Sequence, residues 1–158
     1  DPGSSVTGFG FIDSVAGHLS LVHAGAIRLP RSAALSERVR IVADDLHALI
    51  DEYRPVSVSI ERVFHHVNVQ SALVLAHVRG AILLEIARAG PTIHEYTALQ
   101  IKKALTGHGH AGKEQVRAMV LRLLGSPSIS GPHDVSDALA IAICHAHSST
   151  GAVMRLQS

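Results

Sequence analysis

Apolar and polar positions change their period along this chain, and each change marks an element. Val6 to Ile12 alternates around Gly8 and Gly10, the two-residue period of a strand. Ala16-Gly17-His18 supplies a turn and Leu19 to Ile27 a second strand, so the chain opens on an antiparallel meander. Leu35, Val39, Val42, Leu46, Leu49 and Tyr53 then recur every three or four residues, with Ser36, Glu37, Arg40, Asp44 and Glu52 on the other side. That spacing predicts an amphipathic helix, ended by Pro55. Val56 to Ile60 reads as a short strand with Glu61 at its end. Asn68 to Ala89 reads as a long helix stopped by Gly90-Pro91, and Thr92 to Tyr96 as a last strand. Three helices follow: Ala98 to Leu105, Lys113 to Leu124, and Val135 to about His147.

Asp1-Pro2-Gly3-Ser4-Ser5 reads as the end of a strand entering a turn, which implies an apolar central strand ending near Asp1. With that strand counted, the order is β-β-β-α-β-α-β-α-α-α. An antiparallel opening followed by helical crossovers predicts an α/β fold: a mixed five-stranded sheet with helices on both faces. We expect one domain over residues 1–147 and a loose tail over 148–158.

Composition narrows the picture. Apolar residues make up 47% but aromatics only 3%, so Leu, Ile, Val and Ala must build the core and each Phe or Tyr asks for a reason. The single cysteine, Cys144, allows no internal disulfide and suits a reducing cytoplasm. No stretch resembles a signal peptide, and the longest apolar run, Ser71 to Ala89, carries His77, Arg79, Glu85 and Arg88, which argues against a membrane partner. A net charge of +1 does not announce a nucleic-acid binder, but clustered Lys and Arg suffice for phosphate contacts.

The candidate chemistry lies in carboxylates. Asp1 and Glu61 stand at predicted strand ends, where sites in such sheets gather. The last helix is apolar on all sides, hence largely buried, yet Asp134 and Asp137 occupy its first turn and share a face. Taken alone, these two read equally well as a helix N-cap and a favourable charge at the positive end of the helix. Weighed with Asp1 and Glu61, they make four acids that repel unless cations lie among them. Oxygen-only ligands select Mg²⁺ or Mn²⁺, and two such ions can clamp both oxygens of an in-line phosphodiester displacement. Glu95 competes for a place in this set, whereas Asp44, Asp45, Asp51 and Glu52 read as a solvated helix face.

Asp1-Pro2-Gly3-Ser4, Ser59-Ile60-Glu61-Arg62-Val63-Phe64, His94-Glu95-Tyr96, Gln100-Ile101-Lys102-Lys103 and Asp137-Ala138-Leu139-Ala140-Ile141-Ala142 resemble, in order, the signature segments of the RuvC family of Holliday-junction resolvases. The likeness runs from Asp1 to about His147. It implies a ribonuclease-H-like fold and a homodimer that nicks four-way junction DNA with two Mg²⁺ ions per active site. It places the metal and catalytic acids at Asp1, Glu61, Asp134 and Asp137; His133 is the alternative at the third position, where the spacing to Asp137 favours Asp134. It also implies partnership with the branch-migration proteins RuvA and RuvB.

Phe64 lies between strand and helix, either packed under its loop or wedged between bases, and the resemblance favours the wedge. His65 and His66 beside it are candidate phosphate contacts. Lys102, Lys103, Lys113, Arg117 and Arg122 form the densest basic set, with Lys113 and Arg117 on one helix face; the resemblance singles out Lys102 and Lys113 for the scissile strand. The Gly-rich loop before Lys113 suggests phosphate near a helix start. His108 with His110, and His145 with His147, have metal-like spacing but lack further ligands nearby. For dimer contacts the long helix offers Leu73, Leu75, Val78, Ile82 and Leu83. Rival readings are a nucleotide-binding half of the sugar-kinase, actin and chaperone group, a non-catalytic junction-binding module, and another ribonuclease-H-superfamily nuclease. The first needs two related domains, and the second has no use for a buried acid cluster.

Overall fold

The structure, a computed structural model, describes residues 1–62, 68–126 and 128–155. β1 (Val6–Val15) and β2 (His18–Arg28) form an antiparallel hairpin. Ala16 and Gly17 at its tip have φ of 50° and 81°, the left-handed pair that a two-residue hairpin turn requires. α1 (Leu35–Tyr53) leads to β3 (Ser57–Glu61), and α2 (Val69–Ala89) crosses over to β4 (Thr92–Tyr96). β3 and β4 pair in parallel with Glu61 opposite Tyr96. α3 (Ala98–Thr106), α4 (Lys113–Leu123) and α5 (His133–Arg155) complete the fold.

Sequence cues explain the helix ends. The Asn68 side chain caps α2 by accepting from the Ser71 amide at 3.0 Å, and Gly90 closes it at φ 94°. Thr97 and Gln100 form a reciprocal capping box at the start of α3. α5 runs on to Arg155 where a loose tail was expected after His147. Ser148 and Ser149 lie within it, their hydroxyls donating to the carbonyls of Cys144 and His145, four residues back.

Helices cover both faces. α5, α3 and α4 gather one core around Leu139, Ile143, Val120 and Val135, and α1 and α2 gather the other around Val42, Val78, Ile60 and Ile86. α2 is long and apolar enough to cross a membrane by composition alone, but its inner face, Leu75, Val78, Ile82 and Ile86, is buried, the last three in that second core. Leu75, Val78 and Ile82, expected at a dimer contact, are therefore interior residues. The exposed large apolar positions on this helix are Val69, Leu73 and Leu84.

The strands depart from the single five-stranded sheet expected. Among the described residues they form two separate pairs, β1–β2 and β3–β4. Between them lies a cavity of about 820 Å³, walled by Phe9, Ile12, Val58, Ile60, Ile82 and Ala142 among others. Asp1 joins β1 at one rung only: its amino group donates to the Gly8 carbonyl and the Gly8 amide donates back, both at 3.0 Å.

Candidate active site

Asp1, Glu61 and the first turn of α5 meet at one end of the molecule. β3 ends on Glu61, half-buried, and α5 begins at His133, so its free amide groups face this end. What lets α5 approach so closely is the glycine pattern of β1. A Cβ at Gly8 would lie 2.0 Å from the Asp134 carbonyl oxygen, and one at Gly10 would lie 2.5 Å from a methyl of Leu139. Gly8 thus has Asp1 hydrogen-bonded along its edge and Asp134 seated on its face.

Electrostatics show which groups share the site. The Asp1 backbone nitrogen is buried although the residue as a whole is half-buried, and Glu61, Asp134 and Asp137 all lie within electrostatic reach of it. Burial lifts the Glu61 carboxyl above its ordinary range and Asp137 adds to that lift, while Lys102 and Lys113 oppose it. Asp1, Glu61, Asp134 and Asp137 therefore share one neighbourhood, with Lys102 and Lys113 acting on Glu61. They do not close on a point: among the described residues no three acid, His or Cys side chains form a ready-made metal cage.

The hard, all-oxygen donor set fits Mg²⁺, which keeps several of its waters and needs only one or two carboxylates on each ion. An open cluster with lysines at its rim suits that mode better than zinc.

Other expected residues lie apart. Arg117 donates to the Ile129 carbonyl at 3.4 Å, tying α4 to the following loop. The His133 carbonyl accepts the Ser136 hydroxyl at 2.8 Å, and its side chain is exposed. Glu95 is excluded from the cluster. It pairs with Arg79, and with Arg62 at 3.6 Å, and strand alternation sends it to the face away from Glu61's neighbour Tyr96. Phe64, His65 and His66 lie outside the described residues. Sequence reasoning missed the contact role of Gly8. Its signal was the Gly-x-Gly pattern inside a strand, which marks close approach by another element.

The model of the family described as crossover junction endodeoxyribonuclease RuvC matches residues 1–145. The crossover junction endodeoxyribonuclease RuvC of Heliobacterium modesticaldum is 44% identical over 97% of this chain and 94% of its own length. That of Chromobacterium violaceum is 44% identical over 99% of this chain and 88% of its own. A solved structure of Thermus thermophilus RuvC superposes with a TM-score of 0.88 at 31% identity, covering 96% of this chain and 93% of that one. A second, of T. thermophilus RuvC in complex with Holliday junction substrate, gives 0.88 at 32% identity over 94% and 91%.

Proposed function

This chain belongs to the RuvC family, and from that premise we propose that it is an endonuclease that resolves four-way DNA junctions in the cytoplasm by paired, symmetric nicks. The observation that carries the reading is the meeting of Asp1, the end of β3 at Glu61 and the first turn of α5, where Asp134 lies against Gly8 and where Asp137, Lys102 and Lys113 act on Glu61. Carboxylates this close, one of them lifted by burial, repel each other without a cation, and lysines at their rim meet a phosphate backbone.

Divalent-metal dependence comes with the family. We assign the ions as two Mg²⁺ held by Asp1, Glu61, Asp134 and Asp137; when bound, they supply charge to stabilise both oxygens of an in-line displacement. The chain's own residues do the rest. Gly8 and Gly10 set the depth of α5 and so bring its two aspartates over the end of β3. Lys102, half-buried on α3, and Lys113, at the start of α4, neutralise the scissile phosphate. Arg117 holds α4 against its loop and reaches the backbone only at its edge. Phe64 stacks at the branch point, with His65 against a phosphate.

A junction offers two equivalent strands, so one site per chain calls for a two-fold dimer. Its contact surface is the exposed stripe of α2, Val69, Leu73 and Leu84. RuvA and RuvB are the expected partners on the junction.

A gel assay of four-way, three-way and linear duplex DNA, in Mg²⁺ or EDTA, tests the reading. Metal-dependent cutting confined to the four-way substrate is expected. Equal cutting of linear duplex would refute junction specificity.

A further inference from the structure

The side of the β3–β4 pair that α5 covers is polar. Ser57, Ser59 and Glu61 alternate onto one face of β3, and their ladder partners Thr92, His94 and Tyr96 fall on the same face of β4. The helix above them is apolar over most of its length, with Ala138, Leu139, Ile141, Ile143 and Cys144 buried. At His145 it places an imidazole on that polar face. One ring nitrogen, Nδ1, lies 2.8 Å from the Tyr96 hydroxyl, and the other, Nε2, lies 3.1 Å from the Ser57 hydroxyl. The His94 ring stacks on it at 4.2 Å between centroids, with 28° between the planes.

We propose that His145 is a positioning residue for the metal site: it fixes α5 on the β3–β4 pair and thereby sets Asp134 and Asp137 against Glu61. This rests on the assignment of those acids as metal ligands. Both nitrogens are engaged, to different strands, so the ring can neither rotate nor slide without breaking a bond. A neutral imidazole offers one donor and one acceptor, and the two hydroxyls match them whichever tautomer is present. Burial, then the neighbouring His94, keep the ring from charging at neutral pH. One of its partners, Tyr96, stands opposite Glu61 in the ladder. The other end of the lever is rigid: Asp137 lies about two helical turns from His145 on the same helix, roughly 12 Å along its axis. Any slip of α5 at His145 therefore moves the helix-borne acids relative to the strand-borne one by a similar distance. An apolar ring of the same size fills the space but holds no register.

The test is calorimetric titration of Mg²⁺ into the full chain without DNA, with melting curves and junction affinity in EDTA alongside. His145→Phe is expected to weaken Mg²⁺ binding by about tenfold, the lower end of what loss of an outer orienting contact does at metal sites. Junction affinity in EDTA should stay unchanged. His145→Gln, which restores a donor and an acceptor, should recover part of the loss. Ser57→Ala and Tyr96→Phe, each removing one hydroxyl, should fall between. A folded His145→Phe chain with Mg²⁺ affinity within twofold of wild type overturns the proposal and leaves His145 a packing residue. If His145→Phe does not fold, wild-type affinity in both hydroxyl variants overturns it equally. A wild-type chain that takes up no Mg²⁺ refutes the metal site itself, and the positioning role with it.

Discussion

Gly8→Ala adds one methyl group at the point where Asp1, β1 and α5 meet. The new Cβ would sit 2.0 Å from the Asp134 carbonyl oxygen, 2.4 Å from its carbon and 3.1 Å from its Cβ, where ordinary contact begins near 3.4 Å. Relief by motion along that line alone needs 3.4 − 2.0, or 1.4 Å, of retreat by the first turn of α5. The obstruction is backbone, so no side-chain rotation absorbs it. Because φ at Gly8 lies outside the left-handed range, alanine meets no conformational penalty there, and exchanging Gly for Ala within a strand would otherwise favour folding by roughly 0.5–1 kcal/mol. Overpacking of this kind costs about 1–3 kcal/mol. For a domain of this size that lowers Tm by up to about 10 °C. The larger effect falls on catalysis. Metal-ligand distances tolerate about 0.2 Å, and a misplacement near 1 Å costs on the order of a hundredfold in rate. Single-turnover cleavage of a four-way junction at saturating protein should therefore drop at least a hundredfold, while junction affinity in EDTA holds. A Gly8→Ala chain with wild-type rate and Tm would refute the claim that α5 rests on β1 at this glycine.

Three further outcomes follow from the same geometry. Burial lifts the Glu61 carboxyl, so in the metal-free chain Glu61 favours folding below about pH 4.5 and loses that contribution as pH rises through its raised pKa. Glu61→Gln should match wild-type Tm near pH 4 in EDTA and exceed it increasingly toward pH 7; parallel Tm curves would refute the burial effect. Phe64→Ala should lower junction cleavage by about one to two orders of magnitude, stacking being worth roughly 1–3 kcal/mol, and leave nicking of linear duplex nearly unchanged. An unchanged ratio with a lowered Tm would make Phe64 a packing residue. Leu73→Glu with Leu84→Glu should give a monomer by light scattering, where the wild-type chain is expected to be a dimer, without unfolding the chain, because both residues are exposed at 57% and 50%; a variant that stays dimeric would place the interface elsewhere.

How much of this is visible in the sequence depends on the range of the interaction. β4, with the same bounds in pattern and structure, and α1, ended before Pro55, follow from local period and breakers alone. The hairpin tip at Ala16 and Gly17 follows from its turn residues. The end of α5 does not, because Ser148 and Ser149 look like breakers until their hydroxyls bond back into the helix. Periodicity marks α2 as apolar but cannot tell an interior face from an interface, which is why Leu75, Val78 and Ile82 read as contact residues and are core. In the basic set, spacing alone ranks Lys113 and Arg117 together. The fold separates them: Lys113 acts on Glu61 and Arg117 on the Ile129 carbonyl. His145 was least legible of all, since its partners Ser57 and Tyr96 lie 88 and 49 residues away. Its spacing to His147 suggests only a metal pair, and His147 instead lies 3.4 Å from the Ala104 carbonyl.

If the acids gathered around Asp1 and Glu61 cut the junction through a bound metal, each of their charges is needed for cleavage and not for binding. Asp137→Asn removes one of their charges while changing almost no volume or surface. The most direct measurement is cleavage of a four-way junction in Mg²⁺ by wild type and Asp137→Asn, with binding of the same junction followed in EDTA. Cleavage by the variant is expected to be abolished while its junction affinity equals that of wild type. Cleavage near the wild-type rate would contradict it.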